Sequence, residues 1–151
     1  MDYQRTIDKL IEHEGFRAHP YRCTADTWTI GYGSINIYVR GVPPKAVTAE
    51  TFPITKFEAR ANLLVYMDKA FDIAKLFVKN FDEINSARQS ALVMMAYQLG
   101  YRLHQFKNTK YFIERSAWPQ AADEMLDSKW KKQTPKRARE MAHMIQTGAW
   151  L

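Results

Sequence analysis

The sequence predicts a mainly helical α+β protein, and three observations carry that reading. Strand-like runs rich in aromatic and β-branched residues gather between Tyr21 and Arg40, most of the remaining chain shows apolar residues at helical spacing, and several of those stretches carry recognisable caps. At 151 residues the chain can bury a real core. It fits one domain, or a small lobe joined to a larger one, and is too short for two independent domains. Apolar residues at 46% and charged residues at 25% are ordinary globular proportions, which exclude a disordered chain, and no repeat or low-complexity segment is visible.

Taking the elements in order, Tyr3, Ile7, Leu10 and Ile11 fall at i, i+4, i+7 and i+8, the stripe of an opening helix whose expected stop is Gly15. The strand-like runs are Trp28 to Tyr32 and Ile35 to Val39, with Gly31 and Gly33 among them, and together they read as a small twisted sheet. Gly41 to Pro53, with Pro43, Pro44 and Pro53, reads as a loop. Thr55 and Glu58 then have the spacing of a capping box, and Leu63, Leu64, Met67, Phe71, Ala74 and Val78 keep helical spacing to about Lys79.

A second capping box is expected at Ser86 and Gln89, opening the very apolar helix that ends at Gly100 and forms the centre of the core. Shorter helices are expected at Thr109 to Ser116 and Pro119 to Asp127. The last helix has Thr134 as N-cap, Pro135 in its first position, Gly148 just past its end, and a buried face of Ala138, Met141, Ala142 and Ile145. The expected organisation is a single domain over residues 1–151. A small β-containing lobe takes about 14–54, a linking helix about 55–79, and a helical lobe about 80–151 together with the N-terminal helix.

Cys23 is the only cysteine, so no intramolecular disulfide can form and packing must hold the fold. The first ten residues carry Asp2, Arg5, Asp8 and Lys9 and no apolar run of signal-peptide or membrane-spanning length, so the expectation is a protein made without its own export signal and without stable membrane insertion. Net charge is +6 and uneven. Residues 1–100 hold 12 Lys+Arg against 11 Asp+Glu, and residues 101–151 hold 10 against 5. A basic last third favours a polyanionic partner, and charge alone does not choose among nucleic acid, membrane surface and cell wall.

Glu14 is the first candidate for chemistry. It falls at the end of the first helix, where carbonyl ends disfavour a second negative charge and so suit a proton donor, and Phe16, Tyr21 and Trp28 supply an aromatic neighbourhood. A lone glutamate at a helix end is more commonly just solvated. What distinguishes this one is the string that follows: Glu14-Gly15, Tyr21, Cys23, Trp28, and Thr29-Ile30-Gly31-Tyr32-Gly33.

The segment from His13 to Gly33 resembles the phage-type lysozymes, or endolysins, related to the T-even phage enzyme. Their active site follows the spacing Glu, eight residues, Asp or Cys, five residues, Thr, and in this sequence those positions are Glu14, Cys23 and Thr29. Two further stretches carry the resemblance. Ala91 to Gly100 looks like that family's central buried helix, and Trp130, Gln133 to Ala138 and Thr147 to Trp150 are similar to its closing segment.

The resemblance implies a lysozyme-like fold, with a small β lobe joined by a long helix to a larger helical lobe around a saccharide cleft. It implies hydrolysis of the β-1,4 bond between N-acetylmuramic acid and N-acetylglucosamine in bacterial peptidoglycan, with no metal and no organic cofactor. Glu14 is then the general acid, Thr29 helps hold a water, and Cys23 stands where the best-known members carry aspartate. A thiol ordinarily ionises near about pH 8.5 and an aspartic acid near about 3.9, so Cys23 attacks as a thiolate, giving retention, or as a thiol only positions water, giving inversion. Both stay open, with Arg17 or Arg22 as nearby cations for the first.

Four further residues are candidate substrate contacts. Gln98 matches a position on the family's cleft floor, and Arg137 matches an arginine that lies beside the catalytic glutamate. Tyr32 is a ring for stacking on sugars, although aromatics at strand spacing are commonly core. Ser34 stands where the family commonly has histidine. Asp26, three residues past Cys23, is a rival carboxylate in a stretch with the composition of a turn.

The expected partner is the peptidoglycan glycan strand, met by a monomer made in a host cytoplasm and released to the wall through a separate pore. Two other readings stay beside it: a lysozyme-like domain that binds wall or partner without turnover, and a basic nucleic-acid-binding domain drawn from Lys129, Lys131, Lys132, Lys136, Arg137 and Arg139. No nucleic-acid motif accompanies that cluster, so nucleic acid is not the expected partner.

Overall fold

The computed structural model describes residues 1–23 and 26–151. The chain divides into two compact units, a smaller one over Ile7–Tyr66 and a larger one made of Met1–Thr6 with Met67–Leu151. The order of elements is that of a mainly helical α+β protein with its strands near the front.

The first helix, α1 (Tyr3–Glu14), is capped by the Asp2 carboxylate, which accepts from the Arg5 N–H at 3.1 Å. Gly15, at φ 65, ends it as expected, its N–H reaching the Ile11 carbonyl at 3.0 Å in the left-handed conformation that glycine adopts without penalty.

Two antiparallel strands follow, β1 (Arg17–Arg22) and β2 (Trp28–Gly31). The sequence reading found only the second, because Arg-Ala-His-Pro-Tyr-Arg lacks the apolar alternation of a strand. The register explains the weak signal. Arg17 pairs with Gly31 and Tyr21 with Thr29, so β1 advances four residues where β2 advances two. The strand is bulged at a segment that contains Pro20, a residue with no N–H to give.

The second pair, β3 (Asn36–Ile37) with β4 (Lys45–Ala46), places a strand inside the stretch read as loop. It is clamped by the next helix, α2 (Lys56–Phe77). Buried Asn62 accepts from the Tyr38 N–H at 2.9 Å and donates to the Asn36 carbonyl at 2.8 Å, while the Tyr66 hydroxyl accepts from the Asn36 N–H at 2.9 Å. Backbone groups that a two-residue strand cannot pair are thereby satisfied. The capping box of α2 is present in both directions: Thr55 N–H to the Glu58 carboxylate at 3.0 Å, and Glu58 N–H to the Thr55 hydroxyl at 3.1 Å. Those bonds hold the Glu58 carboxyl below its ordinary titration range.

In the larger unit, α3 (Ser86–Leu99) is buried along Ala91–Ala96 and forms the centre of a core that includes Phe77, Phe81, Leu103, Ile113, Met125 and Met141. Its cap differs from the expected box. Asn85, not Ser86, is the N-cap, its side chain accepting from the Arg88 N–H at 3.0 Å and donating to the Gly148 carbonyl at 2.7 Å. Gln89 instead donates to the Phe81 carbonyl at 2.8 Å and accepts from the Met1 amino group at 2.6 Å. Asn85→Ala is therefore expected to cost about 1–2 kcal/mol in a denaturant titration, whereas Ser86→Ala stays within about 0.5 kcal/mol of the parent.

A 3-10 turn (Gly100–Gln105) leads into α4 (Lys107–Ile113), α5 (Trp118–Leu126), a short α6 (Lys129–Gln133) and α7 (Pro135–Thr147). The sequence reading had neither the turn nor α6, which Ser128 caps by accepting from the Lys131 N–H at 3.1 Å. Thr134 occupies the N-cap position of α7 without a side-chain cap bond; its hydroxyl donates to the Trp130 carbonyl at 3.1 Å and accepts from the Gln98 amide at 3.3 Å. Gly148, at φ 70, closes α7 as expected. Among the described residues no helix is long and apolar enough to cross a membrane.

Candidate active site

In the smaller unit, Glu14 is the last residue of α1 and is half-buried. Its carboxylate lies on Gly33. A Cβ added to Gly33 would stand 2.5 Å from Glu14 Oε2, and Gly33 has φ 74, so both the space and the backbone demand glycine. Gly33 is placed by the end of β2. Ile30 and Ser34 exchange two backbone hydrogen bonds of 2.9 Å around the turn Gly31-Tyr32-Gly33, so the Thr-Ile-Gly-Tyr-Gly string works as a bracket for the carboxylate.

Tyr32 and Ser34 belong to that bracket. Tyr32 is 6% exposed, with its ring 5.5 Å from that of Phe16, which follows Gly15; the pair fastens the turn beside the end of α1. Ser34 is 1% exposed, and its hydroxyl has no hydrogen-bond partner among the described residues.

Thr29 is buried on β2, directly across from Tyr21, and its hydroxyl donates to the Thr27 carbonyl at 2.9 Å. With the proton so engaged, the Thr29 oxygen faces any further partner as an acceptor. Cys23 is half-buried at the end of the hairpin, its N–H on the Thr27 carbonyl at 3.0 Å and its own carbonyl accepting from Asp26 at 2.8 Å. Asp26 has φ 59 and is exposed, and its carboxylate pairs with Arg22 Nε at 3.3 Å, which is the turn position its neighbours predicted. Arg22 also lies over the Trp28 ring at 5.5 Å.

Tyr21, across the hairpin from Thr29, is a further residue beside the motif that spacing does not announce. Burial pushes its phenol above the ordinary range; the Arg17 guanidinium opposes that shift, and the Glu14 and Cys23 side chains add to it. The Arg17 guanidinium lies 4.3 Å from the centre of the Tyr21 ring. Arg17 is seated on Tyr21, while Arg22 is engaged at the hairpin turn.

Gln98 and Arg137 belong to the larger unit. Gln98, near the end of α3, accepts from the Trp130 indole N–H at 2.9 Å and donates to the Thr134 hydroxyl at 3.3 Å, which ties together two positions of the closing segment. Arg137 is half-buried in the first turn of α7. Among the described residues no cluster of three His, Cys, Asp or Glu side chains is close enough to hold a metal ion.

Comparison with known proteins covers both units. The family model described as phage lysozyme matches residues 11–144. "Probable T4-type lysozyme 1" of Dictyostelium discoideum is 25% identical over 162 residues, which take in 93% of this chain and 93% of that one. "Probable T4-type lysozyme 2" of the same organism is 35% identical over 69 residues, covering 45% of this chain and 41% of its own.

Proposed function

We propose, from the premise that the chain belongs to the phage lysozyme family, that it is a glycoside hydrolase cutting the β-1,4 bond between N-acetylmuramic acid and N-acetylglucosamine in bacterial peptidoglycan. The observation that carries this reading is the Glu14 carboxylate seated on Gly33, in the same unit as Cys23 and Thr29.

Glycoside hydrolysis needs an acid at the leaving oxygen and a nucleophile at the anomeric carbon. Glu14 gives its proton to the glycosidic oxygen, the bond from that oxygen to the anomeric carbon breaks, and positive character develops on the carbon. Thr29, its own proton engaged by Thr27, accepts a hydrogen from the attacking water and so turns a water lone pair toward that carbon. Cys23 takes the place of the second carboxylate. As a thiol it helps orient this water, whose proton passes to solvent as the new carbon–oxygen bond forms, and the product is inverted; as a thiolate it attacks first, forming a thioglycosyl bond that water, deprotonated by the Glu14 carboxylate, then breaks to give the retained product and free thiolate. Tyr32 and Ser34 shape the bracket, and Gln98 and Arg137 are proposed as substrate contacts on the larger unit.

The biological setting follows as part of the same proposal: an endolysin that degrades the host wall during phage release, working as a monomer, with the basic last third favouring an anionic envelope. Product analysis on purified peptidoglycan tests the chemistry. New reducing-end muramic acid is expected, and its anomeric form at early times reports whether Cys23 attacks. An anhydro-sugar would mean transglycosylation, and no product at all would leave a wall-binding domain.

A further inference from the structure

The smaller unit has a second concave feature, a groove of about 380 Å³ walled by the β3–β4 hairpin and the segment that leads into α2. Ile37, Val39, Val42, Phe52, Pro53 and Ile54 line it, and none of Glu14, Cys23, Thr29, Tyr32 and Ser34 does. The backbone keeps several of these side chains out of the core. The Val42 N–H donates to the Val39 carbonyl at 3.1 Å, closing a turn with Arg40 and Gly41 at its tip, and Val39 and Val42 are each left 60% exposed. Phe52 precedes a proline and is pinned on either side, by the Thr51 N–H on the Thr48 carbonyl at 3.2 Å and the Ile54 N–H on the Ala18 carbonyl at 3.0 Å. Its side chain is 87% exposed, more than any other large apolar side chain among the described residues. A single exposed apolar residue is ordinary, but several around one groove mark a surface that something else covers.

Charge selects the occupant. Arg40 and Lys45 are exposed and make no ion pair among the described residues. Of the two carboxylates that line the groove, Glu58 is engaged by its cap bond with Thr55, and Glu50 opposes the two cations. A second copy would set two such surfaces against each other on chains that each carry a net charge of +6, so repulsion works against self-pairing. An anionic bilayer turns the same cations into an attraction, and its acyl chains are flexible enough to fill an apolar groove.

We propose that this groove is a docking surface for an anionic lipid bilayer: Val39, Val42 and Phe52 enter the boundary between headgroups and acyl chains, and Arg40 and Lys45 meet the headgroup phosphates. The attachment is peripheral and reversible, with apolar side chains and cations acting together as they do in other interfacial segments. It uses no residue of the candidate active site, so it stands or falls separately from the hydrolase reading.

Co-sedimentation with vesicles tests it, comparing equal parts phosphatidylglycerol and phosphatidylcholine with phosphatidylcholine alone. The proteins are the wild type, Phe52→Ser, Val42→Ser and the double variant Arg40→Gln with Lys45→Gln, each with a thermal midpoint and a measure of binding to insoluble, lipid-free peptidoglycan. The wild type is expected to prefer the anionic vesicles by about tenfold or more. Phe52→Ser is expected to weaken that partition about tenfold, the worth of returning one phenylalanine side chain to water, and the double variant about as much. Midpoints should not move, because these side chains are exposed. The apolar variants decide the matter, since the basic last third also attracts anionic lipid. Vesicle binding that is unchanged in both Phe52→Ser and Val42→Ser is charge attraction alone and overturns the proposal. So does a wild type that ignores both kinds of vesicle, or one that forms a dimer which Phe52→Ser dissolves, giving the groove to a second copy. A Phe52→Ser protein that loses peptidoglycan binding while its vesicle partition is unchanged would make the groove a glycan contact and overturn it equally.

Discussion

Glu14→Gln is expected to abolish clearing of purified peptidoglycan, with a loss of about a thousandfold or more in kcat, while the protein folds as before. The amide keeps the size and the hydrogen-bonding span of the carboxyl but has no proton to give at the pH of the reaction, and general acid catalysis contributes about 10²–10⁴ in rate. Stability should stay near that of the parent, because the amide keeps the size and contacts of the half-buried side chain at the end of α1. Lost activity with unchanged stability separates a chemical role from a structural one. Asp26→Asn supplies the contrast: its carboxylate is exposed in the hairpin turn and paired with Arg22, so that variant is expected to clear the wall at the parent rate. Wall clearing by Glu14→Gln at the parent rate, or its loss in Asp26→Asn alone, would move the acid elsewhere.

The difference between these two carboxylates shows what was legible in the sequence. Spacing singles out Glu14, Cys23 and Thr29 as candidates, and the composition around Asp26 predicts the exposed turn position in which it is found, because both signals are local. Local signals also carried α2, through the Thr55 and Glu58 box, and the close of α7 at Gly148. Where the physics is tertiary, the sequence was silent or misleading. Ser86 and Gln89 have the spacing of a capping box, yet Asn85 wins the cap because its amide also reaches the Gly148 carbonyl, and Gln89 is drawn to Phe81 and the amino terminus. The strand β1 escaped because its bulge removes the two-residue period by which strands are recognised. Tyr32 shows the opposite case, since its ring packs on Phe16 as aromatics at strand spacing commonly do.

Gly33→Ala carries the second large effect, and it separates placing the acid from having it. Two costs fall on the variant. At φ 74 an alanine sits in the left-handed region, which destabilises by about 1–2 kcal/mol. The new Cβ would also stand 2.5 Å from Glu14 Oε2. Because that oxygen is the far end of a flexible side chain, the collision is relieved by moving the carboxylate, at little further cost in stability. Moving the carboxylate is what harms catalysis, since a displacement of about 1 Å at a reacting group is worth about 10²-fold in rate. The expected result is a protein that unfolds a few degrees early but, measured well below its midpoint, has lost about a hundredfold in kcat. Gly41→Ala is the control for the backbone term: it has φ 79 and nothing within 4 Å of an added Cβ, so it should pay the same stability cost and keep its activity. If Gly33→Ala remains as active as Gly41→Ala, the bracket formed by the turn Gly31-Tyr32-Gly33 does not set the acid, and the seat of Glu14 on Gly33 is mere proximity.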